Sequence, residues 1–445
     1  MNGRMIMENS LPKVLVVSRG VWNDTDGTSS TLTNIFEDYD PDRLAHIYIE
    51  TKRPNTRCCH RFFQISEFTL VHKLFRWWLK PGHAFDTLEN QEIVVSDKIA
   101  AQETDVMGYV RGHRSRFYVY LREILWSLNG WKSKDLRDFV KEFNPDVVWL
   151  DSSPLPFMNR LYQYVLKAAG KPATIFMQDD VLFLKSHGGT PLRRIRRSHI
   201  RRTVRRVISM CSNMFVISPK MKREYDAEFG IESVLLTKSV RLQDEAVLAS
   251  HPHDPLRLVY MGQVIYGRMN TLIKLAKAMA ELNRDKVRFQ LDIYTGNLIS
   301  EEDLTSLLEC GNVAIKDPVP YQEVQSVIAG NDVVVFVESF DPGMKNISRL
   351  SFSTKICDYL GSGKCVFAIG PSEMASIEYL AEEDAAVVSV SEDSIRSGLE
   401  KLADPSVVSE YALKARSCAV RNHDRETMNK IVYGKLEELS KISVK

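Results

Sequence analysis

No stretch of this 445-residue chain stays apolar for long. Its longest apolar runs, among them Val333–Val337 and Val147–Leu150, are strand-length, far short of the roughly 20 residues that span a bilayer. The N-terminus, MNGRMIMENSLPK, lacks the apolar core of a secretory signal, which predicts a cytosolic protein. Cysteine is sparse: seven residues, odd in number and scattered over positions 58, 59, 211, 310, 357, 365 and 418. Reduced, mostly buried thiols are expected, not a disulfide framework. Cys58-Cys59-His60 has no second ligand pair at zinc spacing, so it reads as an ordinary loop. Net charge is only +2, which excludes any argument from whole-molecule charge. No internal repeat or low-complexity tract is present.

What the chain does have is the composition of a globular protein, 44% apolar and 26% charged, at a length that calls for two or more domains. Lys13–Ser18 (KVLVVS) is a β-branched run entering a Gly/Asp-rich turn and then a helix from about Ser29 to Phe36. Strand-like runs follow at Ala45–Ile49, Asp146–Leu150, Ala173–Met177 and Asn213–Ile217, with helical patterns such as Phe157–Ala169 between them. This alternation predicts a parallel α/β domain over residues 1–245. The polar segment QDEAVLASHPHDP, Gln243–Pro255, is the expected boundary. Beyond it a second alternating unit covers 246–445. Strands are predicted at Leu256–Met261, Arg288–Tyr294, Val313–Ile315, Asp332–Val337, Cys365–Ile369 and Ala386–Val390. Helices are predicted at Leu272–Leu282, Glu302–Glu309, Tyr321–Ile328 and Ser394–Leu402, with a largely helical tail from about Val407 to Leu439. The fold class is α/β: two doubly wound, Rossmann-like domains facing each other, with strand C-termini turned to a shared cleft.

Two segments of the second unit can carry chemistry there. Ser351–Gly370, SFSTKICDYLGSGKCVFAIG, reads as a helix opened by hydroxyl residues, a Gly-Ser-Gly stop and an apolar strand. Ser351, Ser353 and Thr354 are N-cap candidates at a helix start that faces anions well. Lys355 adds a cation where the helix dipole alone disfavours one. Asp358, one turn on, suits a pair of vicinal hydroxyls. A phosphate-and-sugar ligand satisfies all three features, and a plain capped helix fits the pattern equally. The other segment ends the strand Leu256–Met261 in Gly262-Gln263, and Gly267-Arg268 opens the next helix. Glycines admit a ligand close to the backbone, and an arginine grips phosphate bidentately.

RLVYMGQVIYGRMNTLIKLAKAM, VPYQEV, NDVVVFVESF and SFSTKICDYLGSGKCVFAIG resemble the donor-binding domain of GT-B glycosyltransferases, most of all the retaining family 4 type that builds bacterial surface polysaccharides. The resemblance covers most of Leu256–Glu438. In the first half it covers VVSRGVWNDTDGTSSTL and PATIFMQDD…FVISPKMKREYDAEFG, whereas residues 51 to 140 match nothing by eye. It implies a donor-diphosphate site made by Gly262, Gln263, Gly267, Arg268, Ser353, Thr354 and Lys355, with Asp358 at the nucleotide ribose and Val319 and Pro320 at the base. Gly27 and Thr28, in the loop after the first strand, approach the donor from the opposite wall. One of Asp179 and Asp180 bears on the acceptor hydroxyl or the anomeric carbon, and the other is an N-cap or structural acid. The family's first paired glutamate falls at Leu350, which leaves Glu338 as an alternative supplier. No metal is expected, and no cofactor beyond a UDP- or GDP-sugar substrate.

The segment Val181–Arg223 lacks any acidic residue, while twelve of its residues are Lys or Arg, eight of them arginines within Arg193–Arg206. Leu192, Ile195, His199, Val204, Val207 and Ile208 recur near helical period, which predicts an amphipathic helix with arginines such as Arg193, Arg194, Arg197, Arg201 and Arg205 outward. Leu74-Phe75-Arg76-Trp77-Trp78-Leu79-Lys80 mixes aromatics with cations, and Arg111–Trp131 repeats the mixture with Phe117, Tyr118, Tyr120 and Trp126. This is the composition of interfacial binding. It points to an anionic inner-leaflet surface and a polyprenyl-diphosphate-linked glycan, not to nucleic acid. The combined expectation is a peripheral glycosyltransferase of cell-surface polysaccharide synthesis. A nucleotide-sugar 2-epimerase and a non-catalytic GT-B scaffold are the alternatives on the same fold.

Overall fold

A computed structural model describes residues 11–24, 30–89, 116–182, 191–242 and 252–443. The first sheet contains β1 (Val14–Val17), β2 (Leu44–Tyr48), β3 (Arg61–Ile65), β4 (Gly82–Asp86), β5 (Val147–Asp151), β6 (Ala173–Met177), β7 (Asn213–Val216) and β8 (Val234–Leu235). Their spatial order is β4-β3-β2-β1-β5-β6-β7-β8, and every pair is parallel except β3 with β4. Helices cover both faces, so β1 and β6 are buried along their whole length, which is why they read as unbroken apolar runs. β3 and β4 fall in the stretch without recognisable pattern, because Arg61, Gln64, His83 and Asp86 interrupt their apolar residues.

The second sheet runs β11-β10-β9-β12-β13-β14, all parallel. Its strands are β9 (Leu256–Met261), β10 (Phe289–Tyr294), β11 (Val313–Lys316), β12 (Val333–Val337), β13 (Cys365–Ile369) and β14 (Val387–Ser389). Side chains alternate between two layers with the strand period. Val333, Val335 and Val337 join one core, while Val334 and Phe336 join the other. That second core continues through Leu350, Phe352, Leu236 and Val240 into the interior of the first domain.

Strand order reverses between β1 and β5 in one sheet and between β9 and β12 in the other, the places where open α/β sheets bind ligands. Gly262–Arg268 follow β9 and Glu338 follows β12, so both lie at the second switch point. The tail forms two helices, Pro405–Asn422 and Arg425–Ser440, broken at His423-Asp424. The last helix lies on the first domain: Tyr433 donates its hydroxyl to Ile35 O at 3.0 Å, and Arg425 pairs with Glu37 and Asp38. Between Glu338 and Leu350 lies a short helix, Pro342–Ser348, capped by Asp341. Most of the expected boundary segment, residues 243–251, lies outside the described residues, as do Gly27 and Thr28. All seven cysteines are unpaired.

Candidate functional site

The loop after β9 turns on two glycines whose roles are steric. Gly262 has φ +150°, and a Cβ there would stand 1.6 Å from Lys355 Nζ. Gly267, the residue before the Arg268–Leu282 helix, has φ +76°, and its Cβ would meet Ser339 Oγ at 2.3 Å. Only glycine lets this loop pass so close to the end of β12 and to the Thr354–Gly361 helix.

Arg268 opens its helix beside Glu338. Nη2 lies 3.1 and 3.2 Å from the two carboxylate oxygens, and Nε lies 3.4 Å from Oε2. Burial pushes the Glu338 carboxyl up, against the pull of Arg268. This fork fixes the guanidinium through its Nε–Nη2 edge. Glu338 also receives the Thr271 hydroxyl on its carbonyl at 2.9 Å. Leu350, where the family has its first glutamate, is fully buried in the core.

Ser353 is the N-cap of the Thr354–Gly361 helix, but its hydroxyl makes no capping bond. Lys355 extends from the first turn to the backbone at Gly262, and its ammonium has no hydrogen-bond partner among the described residues. Burial lowers it to about 8 and Arg268 adds to the shift, while Glu338 and Asp358 oppose it. A half-buried ammonium without a hydrogen bond among the described residues, beside an arginine and a helix N-terminus, is a site prepared for an anion.

This gives a signed pH dependence. An anion held by Lys355 favours its protonated form, so affinity for a nucleoside diphosphate is expected to be greatest below about pH 8. Above that value it falls by up to about tenfold per pH unit. Calorimetric titrations on both sides of the value measure it, and a flat affinity contradicts the assignment. Stability without ligand runs the other way. The unfolded chain keeps this proton up to its ordinary 10.5, so the buried lysine costs stability below about 8, and the cost fades as pH rises towards 10.5.

The Asp358 carboxylate is engaged by a lysine of the first domain. Lys238, on the strand-like connection Thr237–Val240, donates to its two oxygens at 2.6 and 2.7 Å. Burial raises the Asp358 carboxyl, opposed by Lys238. The sequence carries no signal for Lys238, which lies 120 residues away. Val319 is half-buried and Pro320 exposed at the end of β11, where Pro320 O caps the following turn through Glu323 N. The Tyr260 hydroxyl donates to the Gln263 carbonyl at 2.6 Å.

The two aspartates after β6 separate cleanly. Asp180 is buried, and its Oδ1 accepts from Leu182 N at 3.1 Å and from the Tyr225 hydroxyl at 3.3 Å. Asp179 is exposed and accepts from Ser351 Oγ, on the second domain, at 3.0 Å. Asp180 shapes the loop, and Asp179 lies at the meeting of the two domains. Arg349 and Glu224 pair across the same junction, Nη2 to Oε2 at 2.6 Å, as do Lys220 and Glu378.

The proposed surface residues divide as well. Trp77 and Trp78 are 80% and 62% exposed, next to exposed Leu74 and Phe75. Trp126 is not interfacial: it is fully buried, stacks on Phe157 and donates to Glu67 Oε1 at 2.7 Å. On the same Arg116–Ser127 helix, Leu121 and Ile124 point outward instead, followed by Leu128 just beyond its end. Along Pro191–Ile208, Val204, Val207 and Ile208 are buried, whereas Ile195 and His199 are exposed, so the inward face is shorter than the periodicity predicts. Arg194, Arg201 and Arg205 are exposed and Arg197 is half-buried, while the side chain of Arg193 lies outside the description.

No protein-family model and no curated protein sequence matches the chain. Solved structures do resemble it. An α,α-trehalose-phosphate synthase (UDP-forming) from Burkholderia vietnamiensis superposes with a TM-score of 0.59 at 10% identity, over 96% of this chain and 100% of that one. The lipopolysaccharide outer core galactosyltransferase WaaB, in its apo form, gives 0.55 at 14% identity, over 95% and 99%. The chain has the GT-B fold. TarM is also matched, with a TM-score of 0.48 and 13% identity over 69% of this chain, which spans only 58% of TarM's length. In GT-B terms, the Arg268–Lys355 site belongs to the second Rossmann-like domain, and Asp179 to the first. Among the described residues, no group of three or more His, Cys, Asp or Glu is placed to hold a metal ion.

Proposed function

We propose that this GT-B protein is a retaining glycosyltransferase of the family 4 type, acting in cell-surface polysaccharide synthesis. It transfers a sugar from a UDP- or GDP-sugar to a lipid-linked glycan. The observation that carries this reading is Lys355, a half-buried ammonium with no hydrogen-bond partner among the described residues, facing Gly262 beside the fixed guanidinium of Arg268. Breaking a glycosyl–phosphate bond leaves negative charge on a diphosphate. Two cations and a helix N-terminus already in place stabilise that charge without reorganisation. They supply what a metal would otherwise bring, so EDTA-treated protein is expected to keep its activity, and restoration by Mg²⁺ or Mn²⁺ would contradict this part. The leaving phosphate itself takes the acceptor proton. Glu338 orients Arg268 in place of acting as the missing paired glutamate, and Asp358 meets the ribose together with Lys238.

A thermal-shift screen of UDP, GDP, ADP and CMP tests the site, since a ligand bound only to the folded state stabilises it by RT ln(1 + [L]/Kd). One nucleoside diphosphate is expected to raise the melting temperature, and no shift from any of them would refute the reading.

Asp179 orients the acceptor hydroxyl. Asp179→Asn is expected to lower transfer by roughly 10²-fold or more while leaving nucleotide binding intact. Asp180→Asn is expected to act mainly on stability, by about 1–2 kcal/mol, because its carboxylate holds a backbone amide and a buried tyrosine. If single-turnover assays and melts showed the reverse pattern, the two roles would have to be exchanged.

The exposed Leu74, Phe75, Trp77 and Trp78, next to Arg76 and Lys80, suit the interface of an anionic inner leaflet. No helix of the described residues is long and apolar enough to cross a membrane. Sedimentation with acidic-lipid vesicles at low salt is expected for the wild type and largely lost in Trp77→Ser/Trp78→Ser. Equal sedimentation of both proteins would exclude this contact.

A further inference from the structure

The Pro191–Ile208 helix carries a groove of about 500 Å³ lined by Arg194, Arg197, Ser198, Arg201, Arg202 and Arg205. These positions follow one another at three- and four-residue spacing, so they form one stripe along one face. The stripe extends over about 16 Å, at 1.5 Å per residue, with a cation on every turn of about 5.4 Å. Arg205 pairs with Glu228. Among the described residues no aromatic side chain lines the groove, so they offer no stacking platform for a single-stranded nucleic acid. The exposed tryptophans suited to a bilayer lie on the Trp77–Trp78 segment, not in it.

The stripe is tied to the reaction side of the molecule through Arg201. Arg201 Nε donates to Leu182 O at 2.7 Å, and Leu182 N donates to Asp180 Oδ1. Asp179, exposed and adjacent, reaches the second domain at Ser351. The groove therefore continues the loop that bears the acceptor-side acid.

We propose that this arginine groove binds the acceptor glycan through phosphate groups carried on successive sugars, holding the chain against the Asp179 loop. The inference rests on the transferase reading and deepens it by assigning the acceptor's charge. A row of guanidinium groups one helical turn apart matches a row of phosphates at a similar repeat along a sugar chain, and an exposed guanidinium such as that of Arg194 or Arg202 can grip a phosphate bidentately. A lone orthophosphate uses only a fraction of the row.

The test is equilibrium binding of an oligosaccharide phosphorylated on successive sugars, with its enzymatically dephosphorylated form and orthophosphate as controls. Wild-type protein is expected to bind the phosphorylated form at least tenfold more tightly than either control, with an affinity that falls steeply with salt. Arg194→Gln/Arg202→Gln changes two exposed side chains and is expected to lose tenfold or more in that affinity. Its melting temperature and its nucleotide-induced shift should stay unchanged. Unaltered binding by this variant would overturn the proposal, as would equal affinity for the dephosphorylated chain. So would a variant that loses only its sedimentation with acidic vesicles, or a groove that prefers single-stranded RNA. The transferase reading fails separately: if no nucleoside diphosphate binds but the phosphorylated chain does, the groove stands and the donor site falls.

Discussion

Arg268→Ala is expected to abolish the nucleoside-diphosphate thermal shift and to destabilise the protein at the same time. Both effects have one origin. Arg268 is held on Glu338 by three contacts of 3.1 to 3.4 Å, and Glu338 is only 5% exposed. Removing the guanidinium takes a bidentate phosphate ligand from the site and leaves a buried carboxylate unpaired, a change worth about 3–5 kcal/mol in stability. A melting experiment on this variant alone would mix the two. Adding Glu338→Gln removes the orphaned charge, so Arg268→Ala/Glu338→Gln is expected to regain most of the lost stability and none of the nucleotide binding. If the double variant bound nucleotide as the wild type does, Arg268 would be a structural ion-pair partner and nothing more.

Gly262→Ala has the second large expected effect, and it alters no charged group. The added methyl would fall 1.6 Å from Lys355 Nζ, so the ammonium must leave its place. The end of a lysine moves easily, so the fold is expected to tolerate the change apart from the strain of φ +150° for a residue with a side chain. A charge-assisted contact of about 1.5–3 kcal/mol would be lost, which is roughly 10- to 150-fold in nucleotide affinity. The pH dependence about the Lys355 value should disappear with it. Retained affinity with an unchanged pH profile would show that Lys355 does not face the ligand.

Much of this architecture is legible in the chain because parallel strands buried on both faces must be apolar. Ala173–Met177, Leu256–Met261 and Cys365–Ile369 are found at the residues expected. The donor-side pattern is legible for a related reason: glycines and hydroxyls after a strand are local features, and the switch point brings Gly262, Arg268 and Lys355 together. What sequence cannot show is how charges are shared between distant segments. The carboxylate of Asp358 is taken by Lys238, and that of Glu338 by Arg268, partners 120 and 70 residues apart. Asp179 and Asp180 are chemically identical neighbours, and only the course of the loop buries one and exposes the other. Trp126 and Trp77 stand in similar aromatic–cationic surroundings, yet Trp126 turns inward because Glu67 can receive its indole N–H.

The central claim is that a nucleoside diphosphate binds between Gly262, Arg268 and Lys355. Isothermal titration of UDP and GDP into the wild type and Lys355→Ala tests it most directly. The expected result is one-to-one binding of one nucleotide to the wild type, with proton uptake above pH 8, and binding weakened by at least tenfold in the variant. Equal binding to both proteins, or none of either nucleotide to the wild type, would contradict it.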